Sequence, residues 1–211
     1  MQILITAGGT REYIDPVRFI SNASSGRMGY ELARAALKAV HRVTLITTVI
    51  RKAPLLNPAA IVKVESAAEM FAAVKNHFGH CDCLIMAAAV ADYTPVKESK
   101  VKIKKQKHEL TIKLKPTADI LKWAAKKKNY KSQKHLVVGY ALEDSNLLAN
   151  AERKLKEKNL DMIIANSISA INSEKSTVHI KTQKDEWQTI KNKSKAVIAR
   201  RIIELLEEAH K

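Results

Sequence analysis

Residues Cys83-Leu-Ile-Met-Ala-Ala88 are apolar without interruption. A strand of that composition has to be covered on both faces, and parallel sheets achieve this by packing helices above and below. Strand-like runs recur at Gln2–Thr6, Val43–Thr47, Ile61–Glu65, Leu136–Tyr140 and Leu160–Ala165, alternating with helix-length stretches. Ser66-Ala-Ala-Glu69 is a capping box that opens a helix to about His77. Thr117, after Pro116, predicts the cap of a helix to about Lys127; Leu147–Lys158 and about Lys193 to His210 predict two more. The expected class is α/β, a three-layer Rossmann-like fold on a mostly parallel sheet in one domain over residues 1–211.

Two stretches break the helix–strand alternation. Lys100–Lys104 and Leu110–Lys115 alternate lysine with apolar or β-branched residues, and Lys107-His108 lies in the short connection between them. They predict a projecting, lysine-rich β-hairpin arm over 97–116. Thr177–Lys181 and Trp187–Ile190, joined at Lys184-Asp185, predict a C-terminal hairpin.

Charge is concentrated in the same region. The net +16 of the 211 residues is dominated by Lys97–Lys134, where fourteen lysines meet three acids for a net +11. An anionic partner fits this segment, and so does a plain solvated face. Aromatic residues are 5% and no helix-turn-helix, zinc-finger or RNP pattern accompanies the lysines, which argues against nucleic acid. No apolar run approaches the ~20 residues of a membrane span. Cys81 and Cys83, one residue apart, fit neither a disulfide framework nor a usual zinc site and read as reduced thiols at the start of a buried strand. With a strand beginning at Gln2 and no signal-peptide pattern, a cytoplasmic protein is expected, with no membrane partner.

Two small-residue loops crowd the carboxyl edge of the first strand. Ala7-Gly8-Gly9-Thr10 follows it directly, and Arg18-Phe-Ile-Ser-Asn22-Ala-Ser-Ser-Gly26-Arg-Met-Gly29 leads into a helix. Open α/β sheets bind phosphorylated ligands at such edges, and a helix N-terminus favours an anion. Gly8, Gly9, Thr10, Ser24, Ser25 and Gly26 are therefore the expected phosphate or substrate loop. A dinucleotide fingerprint is absent, because the glycines do not follow G-x-G-x-x-G and the second strand ends Ile46-Thr47-Thr48 without a ribose-binding acid. Short-chain dehydrogenases offer a rival, through Asn22–Gly29, Ala87–Ala91 and the Y-x-x-x-K spacing of Tyr93 and Lys97. There the glycine loop should follow the first strand at once and the tyrosine should lie on a helix, whereas here Pro95 sits between Tyr93 and Lys97.

Six ordered stretches are similar to one family. Thr6-Ala-Gly-Gly-Thr-Arg-Glu12 with Ile14-Asp-Pro-Val-Arg18-Phe-Ile-Ser-Asn22, Ser24-Ser-Gly26, Met86-Ala-Ala-Ala-Val-Ala-Asp92-Tyr93, Lys102-Ile-Lys-Lys105, Val138-Gly-Tyr-Ala141 and Lys158-Asn-Leu-Asp161 closely resemble phosphopantothenoylcysteine synthetase. That family is the synthetase part of the bacterial bifunctional coenzyme A biosynthesis protein. The resemblance implies a ligase that activates 4′-phosphopantothenate with CTP, giving an acyl-cytidylate and pyrophosphate, and then couples it to the cysteine amine with loss of CMP. It implies Mg²⁺ as cofactor, no flavin or NAD, a homodimer whose arm reaches the neighbouring subunit, and a separate protein for decarboxylation.

The resemblance also assigns roles. Lys102 serves acyl activation, Asn22 the second step, and Arg18 a phosphate or carboxylate. Nucleotide contacts fall to Met86, Ala87, Ala88, Ala89, Asp92, Lys102, Ala118, Asp119, Ile120, Leu121, Tyr140, Lys154 and Lys158, with Asp92 also the metal ligand. Each has a plainer alternative: Asn22 and Ser24 as turn and cap residues, Asp92 as a turn residue, Lys102 as the wet face of a strand, Tyr140 as core, and Lys154 and Lys158 as a solvated pair. Two departures touch nucleotide recognition. Thr117-Ala-Asp-Ile120 stands where the family often has Asn-Pro-Asp-Ile, and Tyr140-Ala-Leu-Glu-Asp144 replaces Phe-Ala-Ala-Glu-Thr. ATP in place of CTP, and a dehydrogenase, stay open as alternatives.

Overall fold

In a computed structural model that describes residues 1–49, 59–105, 107–128, 135–171 and 173–210, the apolar runs form the middle of one sheet. In chain order the elements are β1 (Gln2–Ala7), β2 (Arg11–Tyr13), β3 (Phe19–Ser21), α1 (Arg27–Lys38), β4 (Arg42–Thr47), β5 (Ala60–Lys63), α2 (Ala67–Phe78) and β6 (Cys83–Met86). Then follow β7 (Tyr93–Pro95), β8 (Leu114–Pro116), α3 (Ile120–Lys126), β9 (Leu136–Glu143), α4 (Leu147–Glu157), β10 (Met162–Ser167), β11 (Lys175–Thr182), β12 (Gln188–Ser194) and α5 (Lys195–His210). Among the described residues the main sheet has eight strands in the order β12-β11-β10-β9-β6-β1-β4-β5. The six strands from β10 to β5 run parallel, and β11 and β12 add antiparallel at one edge.

Strand alternation divides the core into two layers. Ile3, Ile5, Cys83, Ile85, Val138, Ile164 and Val178 pack under α1 and α5. Leu4, Leu84, Met86, Val137, Ala141 and Ile163 pack under α2, α3 and α4. This is the expected three-layer α/β architecture. Every residue of β6 is buried, while the edge strands β5 and β12 are largely exposed. Each fully buried Leu or Ile contributes about 1.5–3 kcal/mol relative to exposure, so the central strands dominate the core's energetics. Among the described residues no helix is long and apolar enough to cross a membrane.

The capping box forms at α2, with Ser66 Oγ accepting from Glu69 N–H at 3.2 Å and the Glu69 carboxylate accepting from Glu65 N–H at 2.9 Å. The α3 cap differs from the expectation. Asp119, not Thr117, accepts from the helix, through Lys122 N–H at 2.9 Å. The Thr117 hydroxyl instead donates to the Ala91 carbonyl at 2.6 Å, tying the arm's return strand to the loop after β6.

The arm also pairs differently. Among the described residues of 100–104 and 110–113 no strand forms; the antiparallel pair lies at the arm's base, where Tyr93–Pro95 faces Leu114–Pro116. An isolated two-stranded ribbon is marginal without a partner to bury its apolar side. Val101 and Leu110 are exposed, whereas β7 gains support by packing on β2. The hairpin β2–β3 was not legible as strands, although its Asp15-Pro16 corner is a turn signal.

Cys81 and Cys83 are buried and not disulfide-bonded. Burial, reinforced by the Asp82 charge, pushes the Cys81 thiol up to about 12, and burial holds Cys83 well above the ordinary range. The thiolate is the reactive form. Native protein at pH 8 is therefore expected to resist a disulfide-exchange reagent, with both thiols titrating only after denaturation. Rapid labelling of the native protein would contradict this burial.

Candidate functional site

The loops after β1 and β6 are stitched together at the carboxyl edge. Thr10, fully buried, accepts from Ala91 N–H through its hydroxyl at 2.9 Å and donates its own N–H to Ala89 at 3.3 Å. Ala89 N–H donates to the Gly8 carbonyl at 2.8 Å, and Ala88 N–H to the Thr6 hydroxyl at 3.2 Å. Gly8 has φ +89°, and a Cβ there would stand 2.1 Å from Thr48 Oγ1, so a side chain is excluded twice over. Gly8, Gly9 and Thr10, expected to contact phosphate, thus brace the loops from below and do not line the cavity above them.

That cavity is about 740 Å³, a size typical of small-molecule sites, and it lies along the carboxyl ends of β6, β9 and β10 and the amino end of the antiparallel β11. It brings together Asn22, Ser24, Ser25 and Gly26 from the first loop, Met86–Ala89 and Asp92 from the second, Ala118–Leu121 from the start of α3, and Tyr140, Lys154 and Lys158. All were expected site residues. The Asn22 side-chain amide donates to the Ala89 and Val90 carbonyls at 3.3 and 3.1 Å. Two carbonyl acceptors fix the amide's orientation, so its NH₂ is spent on the neighbouring loop and its oxygen is the group left for a ligand.

On the α3/α4 side the cations are organised. Lys158 pairs with Asp119 at 2.8 Å, and Lys154 Nζ donates to the Tyr140 carbonyl at 2.6 Å. Burial, then the nearby Lys158 charge, lowers the Lys154 ammonium. Burial would raise the Asp119 carboxyl, but the Lys158 hydrogen bond and the Lys122 N–H overcome it, leaving the group below its ordinary value. Asp92 is exposed and has no ion pair among the described residues. A single open carboxylate suits a Mg²⁺ that arrives with phosphate oxygens as its other ligands. Among the described residues no cluster of three or more acidic, His or Cys side chains could hold a metal by itself.

Arg18 and Lys102 lie elsewhere. Asp15, with no exposed surface, accepts from Val17 and Arg18 N–H, from the Arg18 guanidinium, and from Ile103 N–H at 3.0 Å. Arg18 in turn donates to the Ile103 carbonyl at 2.7 Å. The guanidinium, against some opposition from burial, holds the Asp15 carboxyl far below the usual range. This clasp fastens the arm beside the β2–β3 turn, next to Lys102. Neither Arg18 nor Lys102 lines the cavity of its own chain.

Sequence reasoning missed Arg27, Asn166, Ser176 and Lys195, all of which line the cavity. Lys195 carried a signal, since it occupies the apolar stripe of α5 with Ile198, Ala199 and Ile202. Asn166 is a polar residue that continues the apolar run of β10.

The comparisons with known proteins agree on one family. The model of the DNA/pantothenate metabolism flavoprotein C-terminal domain matches residues 1–209. The Coenzyme A biosynthesis bifunctional protein CoaBC of Bacillus subtilis is 44% identical over 168 residues, which is 80% of this chain and 40% of that protein. A Cysteine/Cysteine sulfinic acid decarboxylase from an unknown prokaryotic organism is 48% identical over 167 residues, 79% of this chain and 46% of that one. The chain thus spans less than half the length of these two relatives. A crystal structure of the C-terminal domain of CoaBC superposes with a TM-score of 0.77 at 36% identity, covering 99% of this chain and 94% of that one.

Proposed function

We propose that this chain, which belongs to the DNA/pantothenate metabolism flavoprotein C-terminal domain family, is a phosphopantothenate–cysteine ligase of coenzyme A biosynthesis. The observation that carries the reading is the single cavity that joins Asn22 to the Asp92, Asp119, Lys154 and Lys158 cluster. Acyl activation needs a nucleoside triphosphate beside the acid's carboxylate, and cations to neutralise the departing pyrophosphate. In the first half-reaction the carboxylate of 4′-phosphopantothenate attacks the α-phosphorus of CTP; the acyl–phosphate bond forms as the bond to pyrophosphate breaks. In the second, the cysteine amine attacks the acyl carbon, CMP leaves, and the amine loses a proton.

Lys154 and Lys158 stand ready for nucleotide phosphates, and Asp92 would hold the Mg²⁺ that arrives with them; the metal supplies charge neutralisation. Asn22, its NH₂ already committed, offers its amide oxygen to the incoming amine and so orients the nucleophile. Lys102, held outside its own cavity beside the Asp15–Arg18 clasp, serves the first step from a neighbouring subunit. The functional unit is accordingly a homodimer.

The test is pyrophosphate release with 4′-phosphopantothenate, cysteine, Mg²⁺ and each nucleoside triphosphate in turn. Release with CTP well above ATP is expected. Release with ATP instead would correct the nucleotide, and none with any triphosphate would sink the ligase reading. NAD(P)H turnover would favour the dehydrogenase.

A further inference from the structure

Asp15 has no exposed surface and no role in the chemistry above. Its two carboxylate oxygens are divided between two tasks. Oδ1 accepts from Val17 and Arg18 N–H, both at 2.9 Å, and closes the turn between β2 and β3. Oδ2 accepts from Arg18 Nε at 3.0 Å and from Ile103 N–H at 3.0 Å. The Arg18 guanidinium donates onward to the Ile103 carbonyl at 2.7 Å, so one charge pair binds both backbone groups of a single arm residue. Upstream in the arm, Ser99 N–H donates to the Ile14 carbonyl at 2.9 Å, and the Ser99 hydroxyl donates to the Val101 carbonyl at 2.7 Å. Lys102 lies between these anchors, exposed and with no ion pair among the described residues.

The turn needs only Oδ1. The bonds of Oδ2 reach across 88 residues of chain to the arm, and local structure does not require them. No strand forms around Lys102, so no ladder of hydrogen bonds holds its backbone. The Ile103 N–H belongs to the Lys102–Ile103 peptide, and holding that planar unit limits rotation at Lys102 and sets where its side chain starts. A lysine ammonium rides on a flexible four-carbon stem, so its aim has to begin at the backbone. Charge-assisted bonds suit the task, being roughly twice as strong as neutral ones. We propose, resting on the ligase reading, that Asp15 is a positioning residue for acyl activation: through Ile103, and with Arg18 as its second hand, it aims Lys102 for the first half-reaction. Asp15 touches no substrate. Its contribution passes entirely through Lys102, and Arg18 belongs to the same device.

Asp15→Asn separates the two tasks. Its amide oxygen keeps the turn, as asparagine does in Asx turns, while its NH₂ faces the Arg18 and Ile103 donors and opens the clasp. The pyrophosphate burst with 4′-phosphopantothenate and the active triphosphate should slow by about 10- to 100-fold, the cost of a misplaced group. Cysteine added to supplied acyl-nucleotide should give product at the wild-type rate, whereas a merely structural defect slows both steps. Mixed with Asn22→Asp chains, Asp15→Asn should behave as Lys102→Gln does; mixed with Lys102→Gln chains it should recover nothing, because both defects fall on the same lysine. In wild type, residue-resolved amide exchange should show Ile103 protected relative to Lys104 and Lys105, a readout that stands even where the variant does not fold. An unchanged burst, equal slowing of both steps, recovery with Lys102→Gln chains, or an Ile103 amide that exchanges as fast as its neighbours would overturn the proposal. A wild type that releases no pyrophosphate with any triphosphate would instead remove the ligase reading, and this role with it.

Discussion

Asn22→Asp is expected to release pyrophosphate and then stall with acyl-nucleotide on the enzyme, whereas Lys102→Gln should release none. In wild type the Asn22 NH₂ bridges the Ala89 and Val90 carbonyls. A carboxylate there loses both donors and faces two carbonyl oxygens, so the loop shifts and the amine loses its guide. Removing one such preorganised group costs about 10²–10³ in rate, and here the loss falls on the second half-reaction. Lys102→Gln should lose a similar factor in the first, because it deletes a charge that neutralises the triphosphate. Rapid quench with labelled CTP separates the two: a pyrophosphate burst with trapped acyl-cytidylate for Asn22→Asp, and no burst for Lys102→Gln. Both variants stalled before pyrophosphate release would refute the division. Mixing them tests the placement of Lys102. If it acts across the dimer, mixed dimers recover one intact site each, and random exchange restores about a quarter of wild-type activity. If Lys102 serves its own chain, mixing restores nothing.

The parts of the fold that could be read from sequence are those in which burial dictates residue type along a whole element. The unbroken apolar run of β6 demanded a covered central strand, and β1, β4, β9 and β10 followed the same rule. The capping box of α2 was equally explicit, because each of its hydrogen bonds needs a particular side chain. Short exposed elements were not legible. Strands β2 and β3 have three residues each, and every residue of β3 is exposed, so no periodicity marks them. In the arm, alternation at Lys100–Lys104 mimicked a strand, but Val101 on its apolar side is exposed, and the pairing lies instead at Tyr93–Pro95, where β2 supports it. At the site, ordered motifs named most of the cavity wall because those stretches are contiguous in sequence. Arg27, Asn166, Ser176 and Lys195 come one at a time from four different elements, and only the folded sheet edge brings them together. Nor could the motifs reveal that Asp15 and Arg18 clasp Ile103, beside Lys102 and away from the cavity, a contact spanning 88 residues of chain.

Gly29→Val should produce the largest loss of stability. Gly29 lies in the first turn of α1, where the helix crosses β1, and a Cβ there would stand 2.5 Å from Ala7 Cβ and 3.0 Å from the Thr6 carbonyl oxygen. Both neighbours belong to a central, hydrogen-bonded strand and cannot give way, so the helix must lift. Replacing a helical glycine recovers at most about 1 kcal/mol of intrinsic propensity, which favours the variant. Overpacking a fitted core costs about 1–3 kcal/mol and occasionally more, and two branches beyond the Cβ place this site at the upper end. The steric term wins, for a net loss of about 2 kcal/mol. In a chain of this size that corresponds to a melting temperature lower by about 4–8 °C. The same displacement shifts the α1 N-terminus, Ser24–Gly26 and Arg27, within the cavity wall, so ligand affinity at the cavity should fall together with stability. Gly29→Ala should show a smaller drop in both, because its single methyl group gains the full propensity and demands less room. A Gly29→Val variant that melts with wild type would mean that α1 does not pack this closely on β1, and the cavity wall it supports would have to be redrawn.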